Sequence, residues 1–204
     1  MSVVHDTIEK RISANHFDTS RPISDEQIHE LARLASLAPS AYNFQNRTLI
    51  AVRDREAKER LKAAAYGQQK VVDAAVTFIV VGTLNAHRQL PTMLKPSVDQ
   101  GILTQDIFDT WVGMASGSHE GNAQLQRDEA FRSASLAGMT LMLAAEAMGL
   151  ATGPMSGFDP QAVSEAFGLT ANEVPVMLIA AGYAAQGNWP QKPRKPLAEF
   201  LRYA

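Results

Sequence analysis

Several stretches of this chain carry polar side chains in patterns that can do chemistry. Near the start, Arg11-Ile12-Ser13-Ala14-Asn15-His16-Phe17 lacks any clear periodicity. A cation followed two residues on by a hydroxyl can bind an anion through a charge-assisted bond and a hydrogen bond; a solvated loop is the competing reading. Ala38-Pro39-Ser40-Ala41-Tyr42-Asn43-Phe44-Gln45 gathers turn-forming and polar residues between a helix and a strand. It is either an ordinary connection or a ligand contact. Tyr66-Gly67-Gln68-Gln69-Lys70 sets two amides and a lysine before an apolar run, and its simpler reading is solvent-facing. Near the end, Lys192, Arg194 and Lys195 alternate with prolines that stiffen the segment and hold the cations apart, which suits capture of a phosphate. No Ser-His-Asp set, paired carboxylates or metal-ligand cluster stands out, and His16 has no second histidine close by.

Composition narrows the classes further. The net charge is −2 and no basic stripe occurs, so a nucleic-acid partner is not expected. With no cysteine, disulfides and thiolate chemistry are excluded. The first residues lack the apolar run of a secretory signal, and a cytoplasmic protein is expected. A chain of 204 residues, 46% hydrophobic, is enough for one domain with a sizeable core.

The elements that must position these groups are read from period and caps. Phe131 to Asp159 is the organising stretch: Leu136 to Leu150 is apolar or small on every face, which predicts a buried helix, followed by a loop from Ala151 to Pro160 rich in glycine and proline. Its Ser, Thr, Gly and central Glu146 argue against a membrane span. Asp6 to Arg11 predicts a short helix capped by Asp6 with Ile8 inward. Ser24 and Gln27 form a capping box for a helix with Ile28, Leu31, Leu34, Ala35 and Ala38 inward, ended by Pro39. Interior strands are expected at Thr48 to Val52, Ala74 to Val81 and Val174 to Tyr183, and a helix with a solvated charged face, Lys58 included, at Asp54 to Ala65. His87 to Gly121 suggests one helix broken near Gly113. Phe108 and Trp111 share a face there, as core residues or as cover for a planar ring. Asp159-Pro160 starts a helix closed by Gly168. One α+β domain over 1–204 follows.

Taken together, Lys10-Arg11-Ile12-Ser13 with Phe17, Ala38 to Gln45, Gly149-Leu150 with Pro154-Met155-Ser156-Gly157-Phe158-Asp159, and Lys192-Pro193-Arg194-Lys195-Pro196 resemble the FMN-dependent nitroreductases in order and spacing, over nearly the whole chain. The resemblance implies a mixed sheet flanked by helices, in a domain-entwined homodimer with one FMN at each subunit interface. It implies that Arg11, Ser13 and Asn15, with the backbone of Ile12, meet FMN, and that Lys192 and Arg194 complete a phosphate site. Pro39, Ser40 and Asn43 would reach the flavin of the other subunit, Gln68 the pyrimidine end of the ring, and the turn Met155-Ser156-Gly157 would aim backbone amides at flavin N5. Fixed donors there stabilise the charge left by an arriving hydride, so no side-chain acid or base is required in that half-reaction.

The implied activity takes hydride from NADH or NADPH and reduces a small electrophilic acceptor, a nitroaromatic, quinone or enal, by a ping-pong cycle. A flavin store or sensor without turnover is the alternative. Tyr42, Phe108 and Trp111 are the substrate-access candidates, the last two within a variable substrate-access region of about 87–121, and the tail 191–204 is expected to pack on the partner subunit. Two departures from the family pattern stand out: Asn46-Arg47 replaces the common Pro-Trp, and Ser156 stands where several relatives carry an acid.

Overall fold

The starts of five helices in this protein are fixed by local side-chain bonds. The computed structural model describes residues 3–204; Met1 and Ser2, which open the segment read for a secretory signal, lie outside the described residues. After α1 (Val3–Lys10), α2 (Asp25–Ser36) begins with the expected capping box. The Gln27 N–H donates to Ser24 Oγ at 3.2 Å and the Ser24 N–H to Gln27 Oε1 at 2.9 Å. These reciprocal bonds satisfy amides that the helix itself leaves without partners. A single 3-10 turn (Ala41–Asn43) leads to β1 (Arg47–Val52), and Asp54 caps α3 (Arg55–Ala64). Then come α4 (Lys70–Asp73), β2 (Val76–Thr83), α5 (Ala86–Asp99), α6 (Gln105–His119), α7 (Ala123–Ala147), β3 (Ala151–Met155), α8 (Pro160–Phe167), β4 (Glu173–Gly182) and α9 (Leu197–Phe200). Asp159 caps α8 and Gly168 closes it at φ 66, both as expected.

The strands lie in the order β1-β2-β4-β3, with every neighbour antiparallel. In β2, Phe78 and Val80 pack with Leu31 of α2 and Leu141 of α7, while Ile79 and Val81 pack with Leu61 of α3 and Val163 of α8. Both faces of the central strands are therefore covered, which is why they read as unbroken apolar runs. Each such side chain, fully buried, contributes about 1.5–3 kcal/mol of transfer free energy. The free edge of β3 receives the segment after α1: Ser13 forms a parallel bridge to Thr152, and the Ala14 N–H donates to Thr152 O at 2.8 Å. Gly153 permits that approach, because a Cβ there would collide with the Ala14 carbonyl oxygen.

The α+β class is as expected; the sheet, expected to be mixed, is antiparallel among its four named strands, with the isolated bridge at Ser13 its one parallel pairing among the described residues, and several local expectations are corrected. Ala151–Met155 is a strand; its Pro154 is tolerated because the strand is at the sheet edge. The loop begins only at Ser156. β1 is likewise an edge strand, with Thr48 and Ala51 exposed. α7 starts well before Phe131, and its Leu136 and Met139 are 42% and 37% exposed, so it has an uncovered face. Asp6 lies inside α1, and Ile8 is exposed. The region 87–121 forms two helices that part at Gly101, whose φ is +70, and Gly113 is interior to α6. Lys58 is buried on α3 and donates to the carbonyls of Val72 and Ala74. No helix among the described residues is long and apolar enough to cross a membrane.

Candidate functional site

The two ends of the chain meet beside β3. The tail turns back after β4, and Asn188 joins it to the start: its Oδ1 accepts the amides of Asn15 at 2.7 Å and His16 at 3.0 Å, and its Nδ2 donates to His16 O at 2.8 Å and Ala185 O at 3.0 Å. Gln191 Nε2 donates to Arg11 O at 3.2 Å. Between these stitched segments lies a cleft of about 280 Å³. Arg11, Ile12, Ser13 and Asn15 line it from one side, Lys192 and Arg194 from the other. These expected residues are thus brought together from sequence positions about 180 apart, as the Gln191–Arg11 separation shows.

Lys70 completes the cleft, where sequence reading left it facing solvent. Its Nζ donates to Asn15 Oδ1 at 3.3 Å, and burial holds its ammonium below the ordinary lysine value. Trp189 stands at the rim with Lys192 Nζ 4.8 Å from its ring centroid, and among the described residues no carboxylate lines the cleft. Cations facing a shared space with no acid among them make an anion site.

A smaller cleft of about 220 Å³ adjoins it, lined by Asn15, Gln68, Gln69 and Lys70. Gln68 Nε2 donates to Gly157 O at 2.7 Å and Ala65 O at 3.2 Å, which ties the amide to the turn after β3. In that turn Met155 is buried, while Ser156 and Gly157 are exposed.

Pro39, Ser40 and Asn43 do not line either cleft within this chain. They belong to the turn before β1, where Tyr42, Asn43 and Gln45 all have left-handed backbone, at φ 49, 59 and 52. Ser40 Oγ accepts the Gln45 N–H at 3.0 Å. Arg47, where the resemblance favours tryptophan, donates through Nη2 to Ser36 O at 2.9 Å and also to Ala38 O, while Asn46 Nδ2 donates to Thr83 O at 3.2 Å. Side-chain bonds therefore set this turn in place of proline and bulk. Phe108 and Trp111 are partly buried against Phe44, Leu90 and Leu94, consistent with the core reading, and Tyr42 meets Trp111 edge-on at 6.1 Å.

Residues 8–183 match the model of the nitroreductase family. The chain belongs to that family. MhqN of Bacillus subtilis (strain 168), named a candidate NAD(P)H nitroreductase, is 36% identical over 198 residues, covering 96% of each chain. A nitroreductase solved in complex with FMN, from Exiguobacterium sibiricum 255-15, aligns with TM-score 0.91 at 28% identity, covering 100% of this chain and 98% of that one. An enone reductase of gut-bacterial fatty acid saturation, CLA-ER, aligns with TM-score 0.87 at 26% identity, covering 100% and 98%. Membership in the nitroreductase family makes this chain an oxidoreductase.

Proposed function

We propose that this protein is an FMN-dependent oxidoreductase that takes hydride from NADH or NADPH and reduces a small electrophilic acceptor, a nitroaromatic, quinone or enal, by a ping-pong mechanism. The observation that carries the proposal is the cleft in which Arg11, Lys70, Lys192 and Arg194 face one another without a carboxylate. That donor set fits a phosphate monoester dianion, whose charge needs several cations and whose oxygens accept several hydrogen bonds. FMN, when bound, supplies the hydride-accepting N5 centre.

The protein's own residues bind and orient. Arg11, Lys192 and Arg194 hold the phosphate, with Ser13 donating a hydroxyl. Asn15, Lys70 and Gln68 run from that end toward the turn Met155-Ser156-Gly157, where backbone amides of the exposed Ser156 and Gly157 favour the reduced, more negative cofactor. Pro39, Ser40 and Asn43 serve the flavin of a second copy, in a homodimer. The uncovered face of α7 and the exposed Phe200 and Tyr203 of the tail supply apolar surface for such a partner. Tyr42, Phe108 and Trp111 border the acceptor's approach.

Purified protein will be yellow, and anaerobic NADH or NADPH will bleach it in a single fast phase. Colourless protein that FMN does not reconstitute refutes the proposal. Yellow protein that bleaches only slowly favours a flavin store or sensor. The double replacement Lys192→Ala with Arg194→Ala will weaken FMN binding by at least about 100-fold, as expected for the loss of two charge-assisted contacts.

A further inference from the structure

Away from the clefts, two histidines are buried where α5 and α6 meet. His87 and His119 are 2% and 4% exposed, and their rings stack at 5.9 Å with an interplanar angle of 27°. Each ring is anchored through one nitrogen. His119 Nδ1 lies 3.0 Å from Ala115 O, with Ser118 Oγ at 2.9 Å. His87 Nε2 lies 2.9 Å from Glu120 Oε2, and Arg88 Nη2 donates to Glu120 Oε1 at 2.6 Å. The other nitrogens, His87 Nδ1 and His119 Nε2, are buried and find no hydrogen-bond partner among the described residues. Leaving them so is unfavourable, and a leucine in either place would fill the space without that cost.

The ring planes are what these residues provide. His119 presents a fixed ring to Phe44 at 5.2 Å and 81°, and to Tyr42 at 6.5 Å and 78°, both edge-to-face. Those two aromatics sit within the turn that holds three left-handed residues, Tyr42, Asn43 and Gln45. Left-handed backbone at residues other than glycine costs about 1–2 kcal/mol each and persists only where the surroundings enforce it. Arg88, Glu120, His87 and His119 form a continuous brace from the surface to that turn.

We propose that His119, steadied by His87 and Glu120, is a positioning residue that fixes the Tyr42–Gln45 turn and thereby sets which sizes of electron acceptor the enzyme admits. The inference rests on the reading that Tyr42 borders the acceptor's approach while Asn43, in the same turn, serves the flavin of a second copy. His119 itself touches neither cleft.

The test uses the FMN-loaded enzyme with a small acceptor, benzoquinone, and a bulky one, menadione. His119→Leu keeps apolar bulk and loses the ring; it will shift the ratio of kcat/KM for the two acceptors by about 10-fold, chiefly through KM. The rate of flavin bleaching by NADH will change less than that ratio. His119→Phe restores an edge-to-face ring and will return the ratio to within about twofold of the wild type. If His119→Leu does not fold, Glu120→Ala at the surface end of the brace carries the same test, with a smaller shift in the same direction. A ratio that His119→Leu or Glu120→Ala leaves unchanged, or a variant that only melts earlier, overturns the positioning role alone. Wild-type protein that takes up no FMN, or is not bleached, overturns the underlying reading as well.

Discussion

Asn188 Oδ1 accepts the backbone N–H of Asn15 at 2.7 Å, across 173 positions of sequence. One amide side chain therefore holds the tail against the segment that supplies Arg11, Ser13 and Asn15. Asn188→Ala leaves the Asn15 and His16 amides without their acceptor, at a cost of about 1–3 kcal/mol. Thermal melts should fall by several degrees, at roughly 2–4 °C per kcal/mol for a domain of this size. FMN titration should show weakened binding in the same variant, because both walls of the cation-lined cleft lose their tie.

Gly153 and Gly157 separate fold from site. A Cβ at Gly153 meets the Ala14 carbonyl oxygen, which cannot retreat without breaking the Ala14–Thr152 pairing. Gly153→Ala should destabilise the protein by about 1–3 kcal/mol, the usual range for overpacking. At Gly157 the nearest atom to an added Cβ is Gln68 Nε2 at 3.8 Å, an ordinary contact. Gly157→Ala should melt within a degree or two of the wild type, at a stability change below about 0.5 kcal/mol. Chemical denaturation of both variants checks the pair.

Lys70 and Lys195 make a second contrast. Lys70 lines both clefts, whereas Lys195 lines neither. Lys70→Ala should weaken FMN binding by about 10- to 100-fold, the worth of a charge-assisted hydrogen bond. Lys195→Ala should leave the dissociation constant within about twofold, as for an exposed charge in high dielectric. Equal effects would remove Lys70 from any contact with the cofactor.

Glu120 gives a pH dependence with a defined sign. Hydrogen bonds from Arg88, then from His87, lower its carboxyl from 4.5 to about 2. The unfolded chain takes up the proton first as pH falls, so the contribution is complete above 4.5 and is lost as pH drops toward about 2. The difference in urea stability between wild type and Glu120→Gln should be constant above that window and shrink to nothing across it. A difference that grows on acidification contradicts the assignment.

What the sequence could disclose follows from where each signal resides. That Arg11 and Ser13 share a cleft with Lys192 and Arg194 follows the resemblance, because taken alone the first segment reads as well as a solvated loop, and only the prolines of the tail hint at a held anion. The capping box at Ser24 and the caps of α8 were legible because capping is decided within a few residues. β3 was not, since Gly153 and Pro154 speak locally for a turn, and only pairing with β4 makes them a strand. Lys70 and Lys58 were missed for a related reason: their depth is set by Asn15, 55 positions away, and by carbonyls beyond α3. Leu136 and Met139 read as buried because periodicity reports an apolar face and does not say what covers it. His87 and His119 carry no local signal at all, as their pairing needs α5 and α6 folded against each other.

The indole at the mouth of the cation-lined cleft has an optical consequence. The chain holds 2 tryptophans. Trp189 is 61% exposed at the rim, while Trp111 sits among Phe44, Leu90 and Leu94. Excited where tryptophan alone among side chains absorbs, the apoprotein will emit from one solvated and one sheltered fluorophore. A yellow chromophore entering the cleft will quench the red-shifted component first, so the protein carries its own spectroscopic gauge of occupancy.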